Sequence, residues 1–177
     1  MIKIGLISDT HNYLDPQVLE YFSDCDEIWH AGDFGTIEIA EELKKIAPVV
    51  GVYGNIDGQD IRNEYPLHQH FEREGIKVWM THIGGIPGRY CLPIRKEMDE
   101  NPPDLFVCGH SHILRIARDQ EHNKMLYMNP GAAGKQGFQE QRTIIRFEIV
   151  DGNFHNVEVV NLDIEQEEKA EKATQSS

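Results

Sequence analysis

The 177-residue chain has few cysteines, no long apolar run and no recognisable targeting segment. Its three cysteines, Cys25, Cys91 and Cys108, are too few and too scattered for a disulfide framework or a thiolate metal site. No stretch approaches the roughly 18 apolar residues of a membrane-spanning helix. The first residues also lack the basic-then-apolar pattern of a secretory signal. These absences predict a soluble protein in the reducing cytoplasm.

Basic residues are also scarce relative to acidic ones. The chain has 17 Lys and Arg against 30 Asp and Glu, which gives a formal net charge of −13. A surface this acidic repels phosphate backbones and anionic lipid headgroups. We therefore expect neither a nucleic-acid duplex nor a membrane as a partner. A nuclease is disfavoured for the same reason, because it needs a positive groove for its polymer.

Five short apolar runs each lead directly into a tight polar motif. Continuous apolar runs of this length are typical of strands that are buried on both faces. Helical patterns over 16–23 and 36–47, the second with Thr36 as N-cap, separate the first three runs, so we expect parallel strands joined by crossover helices. The motifs after the runs are Ser8-Asp9-Thr10-His11, Gly32-Asp33, Gly54-Asn55-Ile56-Asp57, Thr81-His82-Ile83-Gly84 and Gly109-His110-Ser111-His112.

The last third has a different pattern, after a third predicted helix over 94–100. Apolar runs over 114–117, 125–128, 143–150 and 154–162 indicate successive strands, with a hairpin turn at Asp151-Gly152. This order predicts an α/β fold in which two sheets pack face to face with helices outside. We expect one domain over 1–162 and a frayed or disordered acidic tail over 163–177. Exposed sheet edges would allow a homo-oligomer.

In an open sheet with parallel strands, ligands bind beyond the carboxyl ends of the strands. The five motifs would gather two carboxylates, four imidazoles and one amide oxygen there. A set without thiolates favours Mn²⁺ as cofactor, with Zn²⁺, Fe²⁺, Ni²⁺ or Co²⁺ as alternatives. The predicted metal ligands are Asp9, His11, Asp33, Asn55, His82, His110 and His112.

Seven ligands exceed the need of one tetrahedral ion, and a carboxylate can bridge. We therefore predict two divalent ions roughly 3.5–4 Å apart that share Asp33. Two such ions with Asp9 and Asp33 leave about two positive charges in an otherwise acidic protein. This local positive charge predicts an anionic substrate, namely a small phosphate ester.

In their order, the motifs resemble those of the calcineurin-like metallophosphoesterases: Asp-x-His, Gly-Asp, Gly-Asn-x-(Asp/Glu), an isolated His and Gly-His-x-His. Asn129-Pro130-Gly131 also resembles the loop of the small bacterial and archaeal phosphodiesterases called YfcE-like. The resemblance covers about residues 1–150. It implies a four-layer α/β/β/α sandwich of two mixed sheets.

The resemblance also implies how the ligands are shared. One ion would take Asp9, His11, Asp33 and His112, and the second would take Asp33, Asn55, His82 and His110. A hydroxide between the ions would attack phosphorus in line, and the ions would stabilise the developing charge. Asp33, Asn55 and His82 would act in catalysis through that hydroxide and by positioning the phosphate.

One position departs from the family pattern. Many members carry a histidine after the Gly-Asn pair, where it helps to protonate the leaving group or to position the phosphate. This chain has Ile56 there, which cannot transfer a proton. Because general-acid help is typically worth 10²–10⁴-fold, we expect a preference for aryl or activated phosphodiesters. The branch without this histidine includes the retromer subunit of vacuolar sorting, so a non-catalytic, metal-containing protein-interaction scaffold is the alternative function.

Three further residues are candidates for supporting roles. His30 lies on a strand three residues before Asp33 and is expected in the core or beside the ligands, and Asp57 is expected to orient a histidine or a ligand loop. Arg89 follows a glycine-rich stretch just past His82, where it could reach a substrate phosphate. An ordinary connector with a solvated arginine is the alternative for Arg89.

Overall fold

The computed structural model describes residues 1–164 and 174–175. Within them, no helix is long and apolar enough to cross a membrane. The elements are β1 (Ile2–Ile7), α1 (Pro16–Tyr21), β2 (Glu27–His30), α2 (Ile37–Lys44), β3 (Val49–Gly51), α3 (Gln59–Glu64), β4 (His68–Arg73), β5 (Ile76–Thr81), β6 (Gly85–Ile86), β7 (Arg89–Tyr90), α4 (Leu92–Glu100), β8 (Leu105–Val107), β9 (Leu114–Asp119), β10 (Met125–Pro130), β11 (Thr143–Val150) and β12 (Asn153–Asn161).

The strands form two mixed five-stranded sheets and a small hairpin of β6 and β7. The first sheet has the order β12-β11-β1-β2-β3, in which β1, β2 and β3 are parallel and β11 and β12 are antiparallel to their neighbours. The second has the order β4-β5-β8-β10-β9, in which β5, β8 and β10 are parallel and the two edge strands are antiparallel. Each sheet therefore has a parallel centre, as the alternation of strands and helices predicts.

Each central strand contributes to two cores, because its side chains alternate between the two faces of its sheet. In β1, Leu6 faces the second sheet, while Ile7 packs under the helices on the outer face. In β8, Val107 faces the first sheet, while Phe106 packs with α4 on the opposite outer face. The predicted four-layer α/β/β/α sandwich of two mixed sheets is confirmed.

The first two predicted helices begin close to where they are predicted and end earlier, whereas the third, predicted over 94–100, spans Leu92–Glu100. The Asp15 carboxylate caps α1 by accepting the Gln17 N–H at 2.9 Å. Thr36 occupies the N-cap position of α2, but its hydroxyl donates to Asn12 Oδ1 at 2.5 Å instead of capping the helix. The predicted span 36–47 therefore becomes Ile37–Lys44.

The elements α3, β6 and β7 were not predicted, and each is too short to show periodicity. The helix α3 has six residues, of which only Ile61 is buried. The strands β6 and β7 have two residues each. By contrast, the β11–β12 hairpin is confirmed, with Asp151 and Gly152 both at positive φ, as its tight turn requires.

Most of the predicted tail lies outside the described residues. Asp163 and Ile164, at its start, are described. The Asp163 carboxylate accepts from the Arg142 side chain at 2.9 Å, and Arg142 also faces Asp15 at 3.0 Å. The first residue of the predicted tail is therefore joined to the domain.

The buried carboxylate of Asp119, at the end of β9, and His122 of the following turn together connect this turn to α4. It accepts from the Tyr90 hydroxyl at 2.5 Å and from His122 Nδ1 at 2.8 Å, while His122 Nε2 faces Asp99 of α4 at 2.8 Å. Burial alone would lower the pKa of His122, but its hydrogen bonds to Asp99 and Asp119 raise it. The imidazole donates to both carboxylates only as the cation.

We expect the stability of the protein to depend on the protonation of His122. A raised folded-state pKa gives a contribution that is complete below the unfolded pKa, near 6.5, and is lost as the pH rises through the folded value. The melting temperature of wild type should therefore exceed that of His122→Gln by a few degrees at pH 6, and the difference should shrink towards pH 9. A difference that stays constant over this range would contradict the assignment.

Candidate metal centre

The five polar motifs meet where the carboxyl ends of β1, β2, β3, β5 and β8 come together. Ligand-type atoms of six side chains form two groups, and within each group these atoms lie within 4.8 Å of one another. The first group is Asp9, His11 and His112, and the second is Asp33, His82 and His110.

Two carboxylate oxygens lie at the centre of the cluster. Asp9 Oδ1 is 3.2 Å from His112 Nε2, and Asp33 Oδ2 is 3.1 Å from His82 Nε2. Asp33 Oδ2 also lies 3.4 Å from His11 Nε2 of the first group, so this one oxygen faces both groups. The structure thus places Asp33 where the sequence predicts a bridging carboxylate.

The seventh predicted ligand joins the cluster from β3. Asn55 Oδ1 lies 3.1 Å from His110 Nδ1. Asn55 and His110 are exposed, whereas Asp9, Asp33 and His82 are buried. The cluster therefore has a buried floor and an open rim, and all seven side chains predicted as ligands lie in it.

The ligand loops are tied directly to one another through their backbones. The N–H of Asp9 donates to Gly32 O, the N–H of His11 to Asp33 O, and the N–H of Gly109 to His82 O, each at 3.0 Å.

Left-handed φ is uncommon for residues other than glycine and concentrates at functional sites. Five of the seven residues adopt it: Asp9 (52°), His11 (44°), Asp33 (57°), His110 (69°) and His112 (63°).

Each carboxylate uses one oxygen for support and presents the other. Asp9 Oδ2 accepts from the Ser8 hydroxyl at 2.6 Å and from the His110 N–H at 3.1 Å. Asp33 Oδ1 accepts from the Ile56 N–H at 3.0 Å. Asp9 Oδ1 and Asp33 Oδ2 are left to face the imidazoles.

Two of the imidazoles are oriented in the same manner. His82 Nδ1 donates to Ala31 O at 2.7 Å, and His112 Nδ1 donates to Gln139 Oε1 at 2.9 Å. Each bond places the proton on Nδ1 and aims the lone pair of Nε2 into the cluster, which is how histidine ligands are commonly held. Gln139 lies in a loop without a recognisable motif, so sequence reasoning missed it.

Unpaired buried atoms test whether this donor set fits a metal. Among the described residues, Asp9 Oδ1, His11 Nε2 and His82 Nε2 are buried and have no hydrogen-bond partner. Leaving such polar atoms unpaired is costly. Divalent cations bind carboxylate oxygens and imidazole nitrogens, so a metal ion would provide a partner for all three atoms. The residues fit the predicted group.

Metal binding needs ionised carboxylates and neutral imidazoles. Burial would lower the pKa of His82, but its contact with Asp33 raises it, and contact with Asp9 raises the pKa of His112, so an ion must displace protons from these two rings. The two carboxylates and His110 suit an ion directly. Burial alone would raise the pKa of Asp9, but the nearby imidazoles of His11 and His112 lower it. Burial would likewise raise the pKa of Asp33, but the nearby His82 imidazole lowers it. Burial and the nearby His82 lower the pKa of His110.

Asp57 holds two of the ligand loops together. Its carboxylate accepts from the Gly54 N–H at 2.8 Å and from the Gly35 N–H at 3.0 Å. Arg62, which sequence reasoning did not single out, donates from Nε to Asp57 O at 2.7 Å. Asp57 therefore lies where the sequence predicts a residue that orients a ligand loop.

His30 is fully buried below the ligand loops. Its Nδ1 accepts from the Gly32 N–H at 3.1 Å, so its Nε2 carries the proton and donates to Thr10 Oγ1 at 3.1 Å. Burial lowers the pKa of His30 to about 3, so the ring is neutral. His30 supports two ligand loops from within the core.

Arg89 is not brought to the cluster. It is exposed on β7, in the hairpin that precedes α4. In the described part of the chain, two surface hollows adjoin the cluster, one lined by Asn55 and His82 and the other by His110 and His112, and Arg89 lines neither. Its contact with a substrate phosphate stays a prediction.

Comparison with known proteins identifies relatives of the chain. The family model of the calcineurin-like phosphoesterase superfamily domain matches residues 2–152. A probable metallophosphoesterase of Methanothermobacter thermautotrophicus is 34% identical over 134 residues, covering 73% of this chain and 76% of that protein. A phosphodiesterase of Methanocaldococcus jannaschii is 27% identical over 146 residues, covering 73% of this chain and 83% of that protein.

Solved structures with a similar fold include an enzyme and a sorting protein. An archaeal phosphodiesterase superposes with a TM-score of 0.71 and 23% identity, covering 90% of this chain and 100% of the other. Vps29 of Entamoeba histolytica in complex with zinc superposes with a TM-score of 0.67 and 18% identity, covering 90% and 99%. At these identities, the similarity concerns the fold.

The packing against Asp33 predicts a strict requirement for Gly54. A Cβ at position 54 would lie 2.0 Å from Asp33 Oδ1, whereas a Cβ at position 58 in the same loop would meet nothing closer than 3.5 Å. We expect Gly54→Ala to weaken Mn²⁺ binding by about tenfold or more, in line with other changes beside metal ligands. Gly58→Ala should bind as wild type does. Titration calorimetry on chelator-treated protein measures both, and unchanged binding by Gly54→Ala would refute the requirement.

Proposed function

The chain belongs to the calcineurin-like phosphoesterase superfamily, and we propose that it is a phosphodiesterase that hydrolyses small phosphate esters with two divalent ions, Mn²⁺ being the expected metal. The observation that carries this proposal is the convergence of buried, unpaired ligand atoms from different loops onto Asp9 and Asp33. Its relatives include a phosphodiesterase, which supports the same reaction class.

We assign the ligands by the two groups. Asp9, His11 and His112 would hold one ion, and His82, His110 and Asn55 would hold the other. Asp33 would serve both, since its Oδ2 faces His11 at 3.4 Å and His82 at 3.1 Å. When bound, such ions activate water as a nucleophile and neutralise charge on the phosphoryl oxygens.

The chain's own residues control how a phosphate would approach. Asp9, Asp33 and His82 are buried and form a floor that the substrate cannot pass. Asn55 and His110 form the exposed rim, so the ester would enter from their side. Because the formal net charge of the chain is −13, the attraction for an anionic ester must come from the centre itself.

Ile56 determines which leaving groups the centre would accept. Its backbone N–H supports Asp33, while its side chain is 47% exposed at the rim. An isoleucine cannot protonate a departing alkoxide, and general-acid catalysis is typically worth 10²–10⁴-fold. The substrates turned over best should therefore have leaving groups that depart as stable anions, such as nitrophenolate.

The alternative is a metal-containing scaffold for protein binding. The likeness to the fold of Vps29 favours it. The scaffold and the enzyme differ in one outcome, since a scaffold would bind two ions and cleave no ester. The open rim formed by Asn55 and His110 favours the enzyme, because it leaves the centre accessible to an ester.

Removing the shared carboxylate tests the proposed function. After chelation and reloading with Mn²⁺, wild type should hold two ions per chain and cleave bis(p-nitrophenyl) phosphate faster than p-nitrophenyl phosphate. Asp33→Ala should lose metal and cleavage together, with activity reduced by about 10³-fold or more. The matched control is Asp60→Ala, an exposed carboxylate on α3, which should behave as wild type. Full activity in Asp33→Ala would rule out the assignment, and two ions without cleavage would favour the scaffold.

A second variant tests the interpretation of Ile56. Introducing an imidazole by Ile56→His should raise the turnover of methyl p-nitrophenyl phosphate little, because nitrophenolate leaves unaided. It should raise the turnover of an alkyl phosphodiester at least about tenfold. Ile56→Gln, which is polar but transfers no proton, should show no such gain. Equal turnover of both ester types by wild type would contradict the interpretation.

A further inference from the structure

An apolar hollow adjoins the side of the centre formed by Asn55 and His82. Its volume is about 480 Å³, within the usual range for small-molecule sites. Besides Asn55 and His82, its walls include Tyr53, Leu67, Ile83 and Ile94. No Asp, Glu, Lys or Arg lines it in the described part of the chain. A group bound next to the centre would therefore meet mostly apolar surface.

Two wall residues expose apolar side chains despite the acidic surface of this protein. Leu67 is 47% exposed and Ile83 is 44% exposed. They flank the hollow from the residue before β4 and from the loop after β5. Exposed apolar groups gathered beside a polar centre mark a binding surface more often than scattered ones do.

The wall formed by α4 is held in place by hydrogen bonds. The Cys91 N–H, at the start of the helix, donates to Gly84 O at 3.0 Å. The buried Tyr127 hydroxyl donates to Gly85 O at 2.6 Å and fixes the hairpin that leads into the helix. The hollow is therefore preformed, which reduces the entropy lost on binding.

His68 is one of the residues that line the hollow. Its Nδ1 is buried and has no hydrogen-bond partner among the described residues, although the residue as a whole is half-buried. Burial, and to a lesser degree the neighbouring His70, lowers the pKa of His68, which favours a neutral ring. Together with Tyr53, it adds ring surface to the wall of the hollow.

We propose that this hollow binds an uncharged aromatic ring carried by the phosphate ester, so that the preferred substrates are ring-bearing esters. The proposal rests on the proposed function, because the centre must hold the phosphate beside the hollow. Asn55 and His82 belong both to the centre and to the wall of the hollow. One small molecule can therefore reach the centre with its phosphate and the hollow with its ring. The ring could be an aryl group next to phosphorus or a nucleobase beyond a sugar, and these two sources have the same chemistry at the hollow.

Paired ligands that differ only by a ring test the proposal without turnover. Titration calorimetry on the Mn²⁺-loaded protein would compare methylphosphonate with phenylphosphonate, and ribose 5-phosphate with adenosine 5′-monophosphate. We expect the ring to tighten binding by about tenfold or more in at least one pair. A gain in the first pair identifies an aryl group, and a gain in the second identifies a nucleobase.

Variants locate the ring. Leu67→Asn should reduce the gain to about twofold and leave methylphosphonate binding unchanged, and Ile83→Asn is a second variant with the same expectation. Leu92→Asn is the matched control, because Leu92 is 75% exposed next to two wall residues but does not line the hollow. It should keep the full gain.

The negative outcomes are distinguishable. If no phosphonate or phosphate binds the loaded protein, the proposed function fails and this inference fails with it. If methylphosphonate and ribose 5-phosphate bind but the ring adds nothing in either pair, only this inference is overturned. It is also overturned if the gain survives Leu67→Asn and Ile83→Asn. Loss of the gain in Phe138→Ala would then place the ring in a second hollow, which Phe138 lines on the side of His112.

Discussion

The structure depends on two ionised carboxylates, Asp9 and Asp33, that lie buried at neighbouring strand ends. Burying a charge is costly unless hydrogen bonds and opposite charges compensate. Each carboxylate here satisfies one oxygen with donors of the chain and leaves the other facing imidazole nitrogens. Close packing follows from this arrangement, since a Cβ at Gly54 or Gly109 would overlap an aspartate oxygen. Five of the ligand residues also adopt a left-handed backbone conformation in the loops that surround the two carboxylates.

The fold makes this arrangement possible by joining two sheets across one core. The first sheet supplies Asp9, Asp33 and Asn55 from the ends of β1, β2 and β3. The second supplies His82 and His110 from the ends of β5 and β8. Because the two halves come from different sheets, the packing between the sheets sets the distance between them. The interior of the sandwich is thus part of the candidate site, although it carries no ligand.

The sequence predicts the parts of this arrangement that local pattern encodes. The run before Asp9 matches β1, and the convergence of the five motifs follows from the rule that parallel strands end at one edge. The four-layer fold came from the family resemblance as well as from the alternation of strands and helices. In contrast, the contact of Gln139 with His112 joins residues 27 positions apart and leaves no periodic signal. The apolar hollow was not predicted for the same reason, since its walls come from several elements.

The central claim is that two ions share Asp33 at this edge of the sandwich. Anomalous diffraction at the manganese edge, from crystals of protein reloaded with Mn²⁺, tests it most directly. We expect two peaks about 3.5–4 Å apart, one among Asp9, His11 and His112 and one among His82, His110 and Asn55, with Asp33 bound to both. A single peak, or peaks away from Asp33, would contradict the claim.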